Sequence, residues 1–320
     1  MMTRINFNLK LCSISILTIF SLNSWAQEQA EFIFEQISEN VYRAANNSHR
    51  TALLLTEEGV ILADPINAGF ATRLKQEIAE RFGVPVRFVL YSHHHWDHAS
   101  GGAVFADTAT FVGHENMLTQ LALPSAGTPL PRGAVDLDAD GNGQIERAEA
   151  EGAYASNFDL YDYDSNGSLS GAEATRGPLN EVRKPDITYA EKMSVTLGGK
   201  TVEMVFTGVH THTDDMSVIV FSEDRVGFMV DFISIQRPPR FIQGDQPIET
   251  WIEGIEIVEA QAFDTAVGGH GNYAEANFVT LFREYIEKLR DQVAAGIAAG
   301  QSNEQLQEAI HMEEYADWIS

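Results

Sequence analysis

The 320-residue chain carries 46 acidic against 21 basic residues, a net charge of −25, and a single cysteine. So negative a surface repels nucleic acid and anionic membrane while favouring solubility and cation binding. One thiol excludes an internal disulfide, and the length suffices for one large core without covalent staples.

Residues 1–26 read as an export signal. Arg4 and Lys10 precede a short apolar run over 11–22, and Ser24-Trp25-Ala26 supplies the small-x-small pattern before a cut at Gln27. The run is too short and too serine-rich to span a bilayer well, so the mature form has no membrane partner. Cys12 lies within this signal, and its removal leaves 19 basic against 46 acidic residues, a net −27. Every metal ligand of the mature chain is then a histidine or a carboxylate. A periplasmic or secreted location is expected.

Next comes a β pattern at 32–34, 41–42, 51–55 and 60–63, ending on Asp64-Pro65. A helix is expected over 71–82, with Leu74 and Ile78 on one face, followed by a buried strand over 86–91 and another over 110–112. Residues 124–184 are rich in Asp, Glu, Gly, Ser and Asn and read as an insert dividing a first part, 27–123, from a second, 185–320. Strands resume at Ile187, 193–197, 201–206, 217–221, 226–230 and 265–267. Helices are expected over 247–260 and 273–299, and a short one opens at Ser302 with Gln305 completing a capping box.

The chemistry concentrates where the strand over 86–91 ends, in His93-His94-His95-Trp96-Asp97-His98. On an extended segment His93 and His95 share a face, and His94 and Trp96 take the other. Four potential ligands within six residues after a strand point to a metal site. Three later residues of ligand type also follow apolar strands: His212, Asp231 and His270. Sheet architectures collect their sites at such strand ends. His210 stands two residues before His212 and competes with it as the ligand. His94 and His114 read as packing or rim residues.

The His93-x-His95-x-Asp97-His98 motif, His212 before Thr213, Asp231 after a hydrophobic strand, and Gly269-His270-Gly271 together resemble the metallo-β-lactamase superfamily. The resemblance implies a four-layer αβ/βα sandwich with metals at one edge. It implies that His93, His95 and His212 hold one metal, that Asp97, His98 and His270 hold a second, and that Asp231 bridges them. Asp64 matches an early structural aspartate that supports the metal loop. Two Zn2+ are the expected ions, with Fe or Mn also suited to the set. The implied reaction is hydrolysis of a small carbonyl substrate (lactone, thioester, ester or β-lactam), with Asp97 beside the attacking hydroxide. Where lactamases with a cysteine at the Asp231 position carry a lysine three residues on, this chain has uncharged Ser234; Arg237 and Arg240 are the nearby cations. A mononuclear iron sulfur-dioxygenase-like enzyme and a non-catalytic calcium-binding interaction protein are the alternatives.

Within the insert, 138–149 fits a twelve-residue calcium loop. Asp138, Asp140, Asn142 and Glu149 supply side-chain oxygens, Gln144 a carbonyl, and Gly143 the sharp turn. Residues 162–173 fit again, with Asp162, Asp164, Asn166, Ser168 and Glu173. Ile145 and Leu169 take equivalent places, where paired loops form a short β contact. Only 150–161 separates the loops, which leaves room for one shared helix bearing Tyr154, Phe158 and Tyr161 on one face. The arrangement resembles the compact paired EF-hands of bacterial proteins and implies bound Ca2+ of modest affinity.

Overall fold

The computed structural model describes residues 32–239 and 247–318. The expected export signal and Arg240 lie outside the described residues.

The first half lays down six strands: β1 (Phe32–Gln36), β2 (Val41–Asn46), β3 (His49–Thr56), β4 (Gly59–Ala63), β5 (Val86–Leu90) and β6 (Thr110–His114). Helix α1 (Ala68–Phe82) links β4 to β5, the one-turn α2 (Trp96–Ala99) follows β5, and α3 (Asn116–Leu121) follows β6. Asn67 caps α1 by accepting a hydrogen bond from Phe70 N at 3.0 Å, and Gly83 closes it at φ 69. The segment 124–184 then contributes β7 (Gln144–Glu146), α4 (Gly152–Ser156), α5 (Phe158–Tyr161), β8 (Ser168–Ser170) and α6 (Gly171–Arg176). The rest is β9 (Ile187–Tyr189), β10 (Lys192–Leu197), β11 (Lys200–Phe206), β12 (Ser217–Phe221), β13 (Val226–Val230), α7 (Ile248–Glu259), β14 (Thr265–Gly268), β15 (Tyr273–Glu275), α8 (Asn277–Ala298) and α9 (Asn303–Ala309).

Two sheets result. One has seven strands in the order β1-β2-β3-β4-β5-β6-β9, the other six in the order β10 to β15. Alternation along the strands assigns the layers. In β4, Ile61 and Ala63 join the core that includes the second sheet, whereas Val60 and Leu62 face the cluster of Phe70, Leu74 and Ile78 on α1. Strands β12 and β13 are buried at every position, so both their faces are covered. Trp251 and Ile255 of α7 and Phe278 and Phe282 of α8 belong to the same core. The order is helix, sheet, sheet, helix: the expected four-layer sandwich. Strands β4, β5, β6 and β9 run parallel, as do β13 and β14, so several chain ends leave the sheets together along one edge.

Two expected elements differ. The helix expected from Tyr273 starts at Asn277 instead. Residues Tyr273–Glu275 pair antiparallel with β14, Tyr273 opposite Val267, because the open edge of β14 satisfies their backbone groups better than a further helical turn would. The single helix expected over 150–161 is broken at Asn157, whose φ of −122° and ψ of 22° leave the helical region. Asparagine competes poorly as a helix interior residue. Beyond the break Phe158 is buried with Ala134, Ile145 and Leu169, and Tyr154 and Tyr161 pack against them with ring centroids 4.8 Å apart. The capping box of Ser302 and Gln305 forms as expected.

Candidate metal centre

Each of the seven residues singled out by sequence leaves the end of an element at one edge. His93 and His95 follow β5, and Asp97 and His98 sit on α2, whose first turn closes through His98 N to His95 O at 3.1 Å. His212 lies between β11 and β12, Asp231 directly after β13, and His270 two residues after β14. Their donor atoms form overlapping groups. His93, His95, His212 and Asp231 place one atom each within 4.8 Å of one another, and so do His98, Asp231 and His270. Asp231 belongs to both. Its Oδ2 lies 3.2 Å from His98 Nε2 and 3.7 Å from His212 Nε2, and its Oδ1 lies 3.3 Å from His270 Nε2. His95 Nδ1 and His212 Nε2 are 3.2 Å apart, and His98 and His270 face each other through Nε2 at 3.3 Å.

Asp97 stands slightly apart, its Oδ2 3.9 Å from His98 Nε2 and 3.8 Å from His270 Nε2. It groups with His270 and with a residue the sequence reading did not single out, His49, whose Nε2 is 3.2 Å from Asp97 Oδ2. His49 opens β3, after the tight Asn47-Ser48 turn. No spacing motif links it to the other ligands; the turn signature and the residue type were its only signals.

The supports lie just behind. Asp64, wholly buried, accepts from Ser92 N at 2.8 Å and from Ser92 Oγ at 2.6 Å, and its Oδ2 lies 3.5 Å from His98 Nδ1. It thus braces the start of the histidine run and orients His98. His94 turns away to Asp215, Nδ1 to Oδ1 at 2.8 Å. His114 is buried, stacked on Phe206 at 3.9 Å between centroids, with Nε2 donating to Ala190 O at 2.7 Å. His210 is exposed and pairs with Asp214 at 3.3 Å, outside the cluster. Asp231 requires a bare neighbour. A Cβ on Gly269 would lie 2.8 Å from Asp231 Oδ1 and 3.0 Å from the Val230 backbone, so only glycine fits. Val230 itself adopts φ 51, an uncommon conformation for a β-branched residue, directly ahead of Asp231.

The electrostatics suit cations. Burial, reinforced by neighbouring imidazoles, drives the pKa of His93 far down, and burial with His212 and His94 pushes His95 down to about 3. His212 is lowered as well, again chiefly by burial. Three neutral imidazoles face one point. At His98 burial opposes the charged form, but Asp231 outweighs it, with Asp64 on the other ring nitrogen, and the pKa rises. For Asp231 burial would raise the pKa, yet His98 and His270 hold it well below the usual carboxylate range. Among the described residues, the buried His93 Nε2 has no hydrogen-bond partner. Buried polar atoms normally find one, and a cation held among these donors would supply it. The cluster opens into a cavity of about 370 Å³ whose far wall carries Ser234, Arg237, Pro238 and Trp251. A cavity of about 350 Å³ near the end of α1 is lined largely by apolar residues and contains none of these groups.

The family model of the metallo-beta-lactamase superfamily matches residues 47–276, which span the seven residues and His49. The chain belongs to the metallo-β-lactamase superfamily. Among solved structures, a metallo-beta-lactamase from Pontibacter korlensis superposes with a TM-score of 0.56 at 16% identity, covering 80% of this chain and 99% of that one. A double mutant of the sec-alkyl sulfatase PisA1 superposes with a TM-score of 0.61 at 14% identity, covering 90% of this chain and 47% of that one. At such identities the likeness concerns the fold. No curated protein matches the sequence.

The segment 124–184 holds two further carboxylate groups: Asp138, Asp140 and Glu149, and Asp162, Asp164 and Glu173, each with donor atoms within 4.8 Å. The loops repeat one hydrogen-bond scheme. Asp138 accepts from Asn142 N and Gly143 N at 3.0 and 2.8 Å; Asp162 accepts from Asn166 N and Gly167 N at 3.1 and 3.0 Å. Asn142 and Asn166 accept from Gln144 N and Ser168 N, both at 2.8 Å. Ile145 pairs with Leu169 in the short β7–β8 ladder.

Proposed function

We propose that the protein is an exported dinuclear metal hydrolase acting on a small carbonyl substrate: a lactone, thioester, ester or β-lactam. The observation that carries this reading is Asp231, one carboxylate whose two oxygens reach histidines of both groups, with the buried, unpartnered His93 Nε2 in the same cluster. His93, His95 and His212 would hold one Zn2+, and Asp97, His98 and His270 the other; Fe or Mn suits the same donors. Two such ions, when bound, lower the pKa of a shared water and stabilise the charge that develops on a carbonyl oxygen.

The chain's own residues do the rest. Low-pKa imidazoles at His93, His95 and His212 present lone pairs at neutral pH, so no proton need leave them first. Asp231 stays ionised and shares its charge between the two groups. Asp97 lies beside the reacting face and is its catalytic carboxylate. Ser234 offers a neutral hydrogen bond and Arg237 a cation on the cavity wall, which Trp251 also lines. One structural neighbour is a metallo-beta-lactamase and another a mutant sec-alkyl sulfatase, so the fold leaves the substrate open and this wall is where this chain would select it.

Residues 124–184 form, in this reading, a calcium-binding insert between the two parts of the fold. Asp138, Asp140, Asn142, Gln144 and Glu149 would hold one Ca2+, and Asp162, Asp164, Asn166, Ser168 and Glu173 a second, with affinities on the order of 10⁻⁴–10⁻³ M as in extracellular modules. The expected export signal at 1–26 supports a periplasmic or secreted mature enzyme.

The test is a panel of β-lactams, lactones, thioesters, sulfate esters and phosphodiesters on protein of measured metal content. Two zinc ions per chain and turnover of at least one carbonyl class are expected. One iron per chain with no hydrolysis would overturn the reading in favour of iron-dependent oxidation.

A further inference from the structure

The β2–β3 hairpin reaches across the sandwich and touches the centre in a way the seven expected ligands do not account for. We propose that its tip, through His49 and the Ser48 carbonyl, positions Asp97 and His270 and so sets the affinity of the second metal. The inference rests on the two-metal reading above.

The hairpin grips the His270 loop along its backbone. Arg50 N donates to Gly269 O at 2.7 Å, and Arg50 Nε donates to Gly271 O at 3.0 Å. His49 and His270 form an isolated antiparallel bridge, with ring centroids 4.6 Å apart. The hairpin belongs to the seven-stranded sheet and His270 to the loop between β14 and β15 of the six-stranded one, so this clasp links the two halves at the centre. Side-chain chemistry then fixes orientation. His270 Nδ1 lies 3.2 Å from Ser48 O. A carbonyl only accepts, so the proton sits on Nδ1 and Nε2 keeps its lone pair, aimed at Asp231. His49 Nε2 lies 3.2 Å from Asp97 Oδ2, and a carboxylate facing a bound cation is ionised and only accepts. His49 therefore donates to the one expected ligand that stands apart from the others. A ligand carboxylate held by a hydrogen bond loses less freedom when a cation arrives, and removing such supports costs roughly 10–100-fold in metal affinity.

The experiment uses apo protein titrated with zinc against a competing chelator, and with cobalt as a spectroscopic probe. His49→Ala removes the imidazole. His49→Phe keeps an aromatic ring against His270 but has no donor, and His49→Gln keeps a donor. Circular dichroism and calorimetry confirm that each variant folds. We expect Ala and Phe to weaken the second zinc equivalent about 10–100-fold while the first is unchanged, and Gln to recover most of the loss. Wild-type affinity for both equivalents in the Phe variant overturns the proposal. So does a Gln variant as weak as Ala with an altered cobalt spectrum, since His49 would then be a ligand itself. Wild-type protein that takes up a single equivalent overturns the two-metal reading, and this inference falls with it. Wild-type protein that takes up two equivalents but hydrolyses nothing overturns hydrolysis and leaves the hairpin's role standing.

Discussion

The candidate metal centre and the paired acidic loops both gather groups that could hold a cation, and they are built in opposite ways. The centre takes its residues from five separate regions of the chain, at 49, 93–98, 212, 231 and 270, and its donor atoms meet only because strands of two sheets end along one edge. Each acidic group comes from twelve consecutive residues whose turns orient the carboxylates locally, and a few apolar side chains around Ile145, Phe158 and Leu169 join the two loops. The centre therefore depends on global folding and is largely buried, whereas the loops can order piecemeal. A site assembled from distant parts is sensitive to any change in how layers meet. A local site is sensitive chiefly to its own turns.

That contrast can be broken at four points, in falling order of effect. Asp231→Ala removes the carboxylate common to both histidine groups and leaves His98 without its strongest partner. Steady-state kinetics on the best substrate of the panel should show kcat/KM down at least about 10³-fold, ~4 kcal/mol of transition-state stabilisation, with calcium uptake unaltered. Lost calcium uptake would show that the two regions are coupled.

Leu169→Ala empties part of the small core behind β7 and β8 and should destabilise that segment by about 2–5 kcal/mol. Calcium binding, followed by calorimetry, should fall while zinc stoichiometry at the centre holds at two. A parallel loss of zinc would contradict the separation drawn above.

Gly269→Ala forces a methyl group against Asp231 Oδ1 and the Val230 backbone. A cost of about 1–3 kcal/mol in thermal unfolding is expected, with zinc affinity reduced. An unchanged melting temperature would mean that the strand ends shift freely.

The smallest effect concerns Asp186, at the return from the acidic segment. It accepts from Phe111 N at 3.0 Å and pairs with Arg183, and these contacts lower its pKa. A lowered carboxylate pKa stabilises the fold above the unfolded-state value, near 3.9, and that contribution fades as pH falls through the lower folded-state value. Because the carboxylate is partly exposed, Asp186→Asn should cost less than about 1 kcal/mol at pH 7. The difference from wild type should shrink in denaturant titrations as pH falls through the lowered folded-state pKa.

Much of the molecule was legible in the sequence where a local rule governs. Alternating or continuous apolar runs marked β3 to β6 and β10 to β14, and Leu74 and Ile78 marked the helix expected over 71–82, which the cap at Asn67 extends back to Ala68. The helix break at Asn157 and the strand at Tyr273 were not legible. Each depends on a partner far away in space or on a small core that exists only once assembled. The ligand types at 93, 95, 97, 98, 212, 231 and 270 stood out because each follows an apolar strand, which is a one-dimensional signal.

What the sequence determined by itself is the set of chemical donors, the sheet-forming pattern and the two acidic loops, since these depend on residue type and short spacing. Tertiary structure decided three further things: that Asp231 lies between two histidine groups, that His94, His114 and His210 are excluded, and that His49 is included. The physical reason is that backbone pairing brings the two sheets' strand ends to a common edge. Which side chains then share a few ångströms depends on the closure of the whole sandwich, down to the bare backbone of Gly269 and the hairpin clasp at Arg50.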